Sequence, residues 1–129
     1  MSFTVEQRGK DIEQLLQQLP VTMRDKIAKK AVREAGKVVA VEMRRRAPVD
    51  TGALRRSIKQ VVRDYGEKTL AVIGPVTPDK KSSIKVNVLE FGSPKQRPQP
   101  FIRPAGDETA RQQDQAIDAE LKKGIEAEL

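Results

Sequence analysis

The chemistry open to this 129-residue chain is bounded first by two absences: it has no histidine and no cysteine. A Ser-His triad, a thiol nucleophile, a His-ligated zinc and a histidine acid–base pair are therefore excluded. The eight glycines are scattered and form no phosphate-cradling loop. Carboxylates remain, and with them magnesium-dependent phosphodiester hydrolysis. Pro78-Asp79-Lys80-Lys81 together with Glu90 holds the residue types of such a nuclease pattern. Asp79, however, falls in a stretch that reads as a mobile polar loop over 76–83, and a metal ligand needs rigid support. A solvated loop is the plainer reading, and no catalytic residue, metal or cofactor is expected.

The second group able to act is cationic. Arg44-Arg45-Arg46 with Arg55 and Arg56 could contact phosphates. No aromatic is interleaved to stack bases, because the chain has one tyrosine, three phenylalanines and no tryptophan. Sequence-specific reading of nucleic acid is thus disfavoured. The competing reading pairs these arginines with Asp50, with acidic residues of the last helix, or with a neighbour's acidic surface. Charge placement supports either. From Arg24 to Arg63 there are thirteen Lys/Arg against four Asp/Glu, whereas from Ala105 to Leu129 there are three against seven. A basic middle and an acidic tail suit a nucleic-acid face, or copies and partners that meet through opposite charges.

The third group is a proline-rich arm over 92–105. Four of eight prolines and two of three phenylalanines fall between Phe91 and Ala105. Each proline fixes φ near −65° and removes an amide donor, so a stiff, extended segment is expected, neither helix nor central strand. Phe91, Pro98, Pro100, Phe101, Ile102, Arg103 and Pro104 are its candidate docking residues, seated on the chain's own body or on a neighbouring copy. Arg103 is expected to pair with a carboxylate such as Glu90.

Helices and strands must position these groups. The segment 1–20 reads as an N-terminal helix, with Ile12, Leu15, Leu16 and Leu19 on one face and Pro20 as its stop. Thr22-Met23-Arg24-Asp25 resembles a capping box and opens a long helix to about Arg46. Its apolar stripe is Ala28, Val32, Ala35, Val39 and Met43, widened by Ala31 and Val38, with Lys26, Lys30, Arg33, Lys37 and Arg44 opposite. Its alanines and Gly36 make the buried face thin, which suits close packing. Pro48 stops it. Asp50-Thr51-Gly52 then looks like a second cap, with Leu54 and Ile58 four apart on a short helical turn. Lys59 to Arg63 and Thr69 to Ile73 read as a hairpin, with Gly74-Pro75 breaking the second strand. Ile84, Val86 and Val88 alternate with Lys85 and Asn87, the clearest strand pattern in the chain. The segment 106–129 is an acidic C-terminal helix with a stripe of Ala110, Ile117, Leu121 and Ile125. The expected form is a single α+β domain over 1–129: a small, mainly antiparallel sheet packed by one long helix, with N-terminal and C-terminal helices.

Composition sets the remaining bounds. Hydrophobic residues are 37% and aromatics 3%, against 33% charged, at a net charge of +7. Such a thin aliphatic core gains from oligomer contacts. No apolar run approaches the ~20 residues needed to cross a bilayer. The first residues lack the basic and apolar regions of a signal peptide, so synthesis in the cytoplasm without processing is expected.

Two motifs carry a resemblance. Arg46-Ala47-Pro48-Val49-Asp50-Thr51-Gly52-Ala53-Leu54-Arg55-Arg56-Ser57-Ile58 resembles the R-x-P-x-D-T-G-x-L-R-x-S-I segment of a tailed-bacteriophage family of tail-completion, tail-component and head–tail joining proteins. Leu89-Glu90-Phe91-Gly92-Ser93 followed by Pro98-Gln99-Pro100-Phe101-Ile102-Arg103-Pro104-Ala105 resembles that family's second signature. The resemblance implies a virion structural protein of the neck or upper tail, assembled in the host cytoplasm. It implies a homo-oligomeric ring, typically sixfold, between tail tube and head-side connector, without catalysis. Its partners would be the tail terminator, tail tube and head-closure proteins, with DNA passing through the lumen and no membrane. Pro48, Asp50, Thr51, Gly52, Leu54, Arg55, Ser57 and Ile58 would then form a well-capped structural corner. The alternative from the residues alone is a non-specific nucleic-acid-binding protein using the basic helix face that includes Arg44, Arg45, Arg46 and Arg56.

Overall fold

Pro20, placed between two apolar-periodic segments, begins the longest element. In the structure, a computed structural model describing residue 14 and residues 16–48, 52–65 and 68–128, helix α1 runs over Val21–Arg46. Its 26 residues span about 39 Å. Pro20 is the N-cap, at φ −55°, and its carbonyl accepts from the amides of Met23 and Arg24. The expected capping box fails for that reason: Thr22 and Asp25 lie inside the first turns, and no side chain caps this end. At the other end Ala47 N–H donates to the Met43 carbonyl, and Pro48 halts the ladder. Residues 14, 16 and 17 are helical and 18–20 lead by a turn into α1, while residues 1–13 and 15 of the N-terminal helix reading lie outside the described residues.

α1 buries Ile27, Ala31, Ala35, Gly36, Val39, Ala40 and Met43. The buried arc is rotated from the expected stripe, leaving Ala28, Val32 and Val38 half-buried. The rotation follows from cover on two sides, by the hairpin on one and the C-terminal helix on the other. The expected cationic face is exposed at Lys26, Lys30, Arg33, Lys37 and Arg44.

After a short helix α2 (Ala53–Ser57), the chain enters β1 (Ile58–Asp64), which pairs antiparallel with β2 (Thr69–Pro75). Ile58 is thus the first strand residue rather than the end of the helical turn. The register sets Ile58 opposite Pro75, Gln60 opposite Ile73 and Val62 opposite Ala71 on the face toward α1. Val61 opposite Val72 and Arg63 opposite Leu70 point outward. Strand β2 continues through Gly74-Pro75 instead of breaking there. Among the described residues the sheet has two strands and no ladder on the outer edge of β2, so the missing proline N–H costs nothing. Gln60 lies across α1, its Nε2 donating to the Arg33 carbonyl at 3.2 Å. A Cβ on Gly36 would sit 1.5 Å from Gln60 Oε1, so the thin face of α1 is filled here by a strand side chain.

The expected third strand is a helix. Residues 84–88 belong to α3 (Lys80–Phe91), so the loop over 76–83 shrinks to 76–79. Ile84, Val88 and Phe91 recur at helical spacing as surely as Ile84, Val86 and Val88 alternate, and the cap decides between the two periods. Asp79 accepts from Ser82 N–H at 2.8 Å, and Ser83 N–H reaches the Asp79 carbonyl.

The last helix is also divided. Helix α4 (Ile102–Glu108) and helix α5 (Ala110–Glu128) meet at Thr109, whose hydroxyl donates to the Ala105 carbonyl at 2.6 Å. Ile102 to Ala105, expected in the extended arm, form the first turn of α4. Pro104 is tolerated because first-turn amides have no intrahelical acceptor. α5 packs along α1 with Ile125 buried, Ile117 and Leu121 half-buried, and Ala110 exposed.

The molecule is α+β, mostly helical, with the long helix packed on the antiparallel hairpin. Its core lies at the C-terminal end of α1: Val39, Ala40, Met43, Ala47, Ile58, Phe101 and Ala105, flanked by Leu54, Ile73, Val86, Leu89 and Ile102.

Candidate functional site

Glu90, at the end of α3, is where the two halves of the second motif meet. Its Oε2 accepts from the amides of Phe101 at 2.9 Å and Ile102 at 3.0 Å, and its Oε1 from Arg103 at 2.9 Å. These are donors that open α4 and would otherwise be orphaned. A carboxylate on one helix thus caps the next. The positive end of the α4 backbone favours its charge. Burial pushes the Glu90 carboxyl up, but the three amides and the Arg103 charge outweigh it and hold it below the ordinary 4.5.

The expected Arg103–Glu90 pair therefore exists through the Arg103 main chain. The exposed guanidinium stands 3.8 Å from Asp107 instead, one turn along α4. Eleven residues separate Glu90 from Phe101, so no local pattern marks the cap. The Glu of the second motif and the amides of its Phe-Ile-Arg segment were visible in sequence, but not their meeting.

The arm between them turns back on its own helix. Gly92 takes φ +79°, and a Cβ there would lie 2.9 Å from Pro98 Cδ and 3.1 Å from the Gln96 carbonyl. Ser93 and Gln96 exchange backbone hydrogen bonds, and Gln99 N–H donates to the Leu89 carbonyl at 2.7 Å. Pro98 and Pro100 are exposed along this return. The arm delivers Phe101 into the core, where it is 0% exposed, while Phe91 is 79% exposed. Phe101 is therefore an anchor onto the chain's own body. An alanine there would empty the core rather than leave a sound monomer lacking an assembly contact. Pro104 is half-buried, as is Ile102 against the core, and Arg103 projects into solvent.

The first motif forms the adjoining corner. Gly52 is the α2 N-cap at φ +81°. Leu54 packs on the core, Ile58 is buried, Pro48 is half-buried, and Ser57 Oγ donates to the Leu54 carbonyl at 2.6 Å. Arg55 and Arg56 are exposed. Asp50 and Thr51, the expected caps, lie outside the described residues. Pro48, Leu54, Val76, Ile84, Val86 and Leu89 line a cleft of about 580 Å³ between α2 and α3.

The three consecutive arginines have a partner that sequence reasoning passed over. Glu42 receives both Arg45 and Arg46, and these hydrogen bonds lower its pKa to about 2. Arg44 Nη2 donates to the Ile58 carbonyl at 3.0 Å, tying helix to strand. The spacings of three and four residues from Glu42 were the available signal. None of the described ion pairs joins these arginines to the last helix; the one between the basic middle and the acidic tail is Lys30–Glu120 at 3.8 Å. Asp79 and Glu90 are both spent on helix caps. Among the described residues no group of three or more acidic side chains is placed to hold a metal, and no helix is long and apolar enough to cross a membrane.

A family model described as "Bacteriophage HK97-gp10, putative tail-component" matches residues 10–95. The match takes in the Pro48–Ile58 corner and Glu90-Phe91-Gly92, and ends before Pro98. No curated protein and no solved structure matched the chain. With two thirds of its length matched, the chain belongs to the HK97-gp10-like family of bacteriophage tail components.

Proposed function

We propose that this tail component is a tail-completion or neck adaptor protein. Six copies form a ring that joins the tail tube to the head-side connector, and no reaction is performed. The family match supplies the virion setting. The observation that carries the ring is the outer face of the hairpin. Val61, Leu70 and Val72 are exposed there on a sheet that has two strands among the described residues. An uncovered apolar sheet face favours association with another chain. In a ring, that face meets a different surface of the next copy. The basic α1 and the acidic α5 would set the register. The neighbours on this reading are the tail terminator, the tail tube and a head-closure protein.

The test is production of particles without this protein. Full heads and finished tails should accumulate unjoined, and supplying the wild-type chain should join them. Normal joined particles in its absence would reject the adaptor role.

A second reading rests on the exposed face of α1. Lys26, Lys30, Arg33, Lys37 and Arg44 align along about 27 Å of helix. Lys30 and Lys37 each have a carboxylate partner, whereas the spacing suits a polyanion passing through a ring lumen. Duplex DNA binding that falls steeply with salt and is lost on changing Lys26, Arg33 and Arg44 to Ala would support it. No binding at low salt would remove it.

A further inference from the structure

We infer that the cleft between α2 and α3 is a docking groove for an apolar segment flanked by carboxylates, supplied by a different virion protein. The inference rests on the virion reading above, and its test separates the two.

The groove is built to take apolar side chains. Its wall hydroxyls Ser57 and Thr77 already have partners, the Leu54 carbonyl and Ser83 at 2.7 Å, and Ser82 N–H bonds Asp79, while Lys85 and Gln96 are the other polar side chains along it. What it offers an occupant is mostly hydrocarbon. The cleft volume lies in the range of ~300–1,000 Å³ typical of binding pockets, but without the convergent free polar groups that orient a small polar ligand.

Helix α3 points the same way. Val86 and Leu89 pack on the core, while Ile84 is 54% exposed and Phe91 79% exposed. A helix apolar on both sides is expected to be covered on both sides. Val76, 57% exposed, extends this surface at the mouth of the groove. The clustering differs from single scattered apolar residues, which need no explanation.

Charge names the partner. Lys85 lines the groove, and the two helices that wall it carry four further exposed cations, Arg55 and Arg56 on α2 and Lys80 and Lys81 on α3. Among the described residues of these walls the one exposed carboxylate is Asp79, which is committed to the α3 cap. A positively rimmed apolar groove selects a segment with Asp or Glu beside its apolar residues and rejects a basic one. The acidic helix of a second copy is a poor occupant. α5 lays Ile117, Leu121 and Ile125 along its own α1, with Gly124 against Ile27, and would have to undock to present them.

Two measurements on the full-length protein decide the point. In the first, two fluorescent amphipathic peptides share one leucine stripe, with glutamates flanking it in one and lysines in the other. The glutamate peptide should bind at least about tenfold more tightly, with an affinity that falls as salt rises. Ile84→Glu, at an exposed position that the fold does not need, should abolish the binding. Lys80→Glu with Lys85→Glu should reverse the preference. Equal affinities, no binding of either peptide, or binding indifferent to Ile84→Glu would overturn the inference.

In the second, Ile84 is replaced by p-benzoylphenylalanine and assembled particles are irradiated. A cross-link to another virion protein, at an apolar stretch flanked by Asp or Glu, supports the proposed source. A cross-link to a second copy of this chain, or none although the chain is present, overturns it. Absence of the chain from particles rejects the virion reading, and the peptide preference then decides the chemistry of the groove by itself.

Discussion

Phe91 and Phe101 are ten residues apart, on either side of one short proline-rich stretch, and their surroundings are opposite. Phe101 sits in the core beneath a cap of three amides on Glu90, at a joint where helix α3, the arm and helix α4 are hydrogen-bonded together. Phe91 stands in solvent on the same helix that carries Glu90. The first region is closed and the second open. Proline stiffness is therefore used for folding here, to return the chain sharply and hold Phe101 in place. Apolar surface left for other molecules lies elsewhere, on α3 and on the outside of the hairpin. In a domain with so thin a core, one buried phenylalanine carries a large share of the stability.

The contrast breaks most sharply on the phenylalanines themselves. Phe101→Ala should cost about 3–5 kcal/mol in urea-induced unfolding, the range for emptying a buried aromatic site. Phe91→Ala should change stability by less than about 0.5 kcal/mol. Equal costs would mean that the two regions do not differ as described. Glu90→Ala comes next, at about 2 kcal/mol, because it leaves the opening amides of α4 without an acceptor. Gly92→Ala should cost about 1–2 kcal/mol, since it forces a side chain into the left-handed region against Pro98 and Gln96.

Glu90 also sharpens the contrast through pH. Its carboxyl lies below 4.5 in the folded state, so the unfolded chain binds a proton first as pH falls. The stability it contributes is fully present above about pH 4.5 and is lost as pH drops through the lower folded value. Replacement by Gln removes the titrating group. The wild-type advantage over Glu90→Gln in urea midpoint should therefore shrink on acidification below that pH. An advantage that stays constant down to pH 3 would contradict the depressed value.

The legible parts of the fold were those whose pattern is local. The 3.6-residue spacing and flanking prolines of α1 fix its extent to within a residue or two, and two β-rich runs around Asp64-Tyr65 mark the hairpin. The strand reading of Ile84–Val88 failed because five residues fit both periods, and the deciding contact, Asp79 with Ser82, looked like a loop. The fate of the two phenylalanines was not legible. Both lie in an apolar-proline context, and what separates them is tertiary: the reach of Glu90 across eleven residues and the turn at Gly92. Gln60 against Gly36 is invisible for the same reason, since a strand side chain fills a helix groove 24 positions earlier. The corner residues stand out in sequence as a structural motif, whereas those of the joint stand out as docking residues, with the chain's own body and a neighbouring copy both open.

A closed joint stabilises this subunit, and its uncovered hairpin face is the surface we propose to meet a neighbouring copy. Native mass spectrometry of the wild-type chain beside a Val61→Lys/Val72→Glu variant tests it most directly, because opposite charges at directly paired, exposed positions leave the hairpin itself compatible. The wild type should give a ring mass near six times 14.4 kDa, and the variant a monomer that keeps the helical circular-dichroism spectrum and unfolds cooperatively in urea. A monomeric wild type, or a variant that forms the same ring, would contradict it.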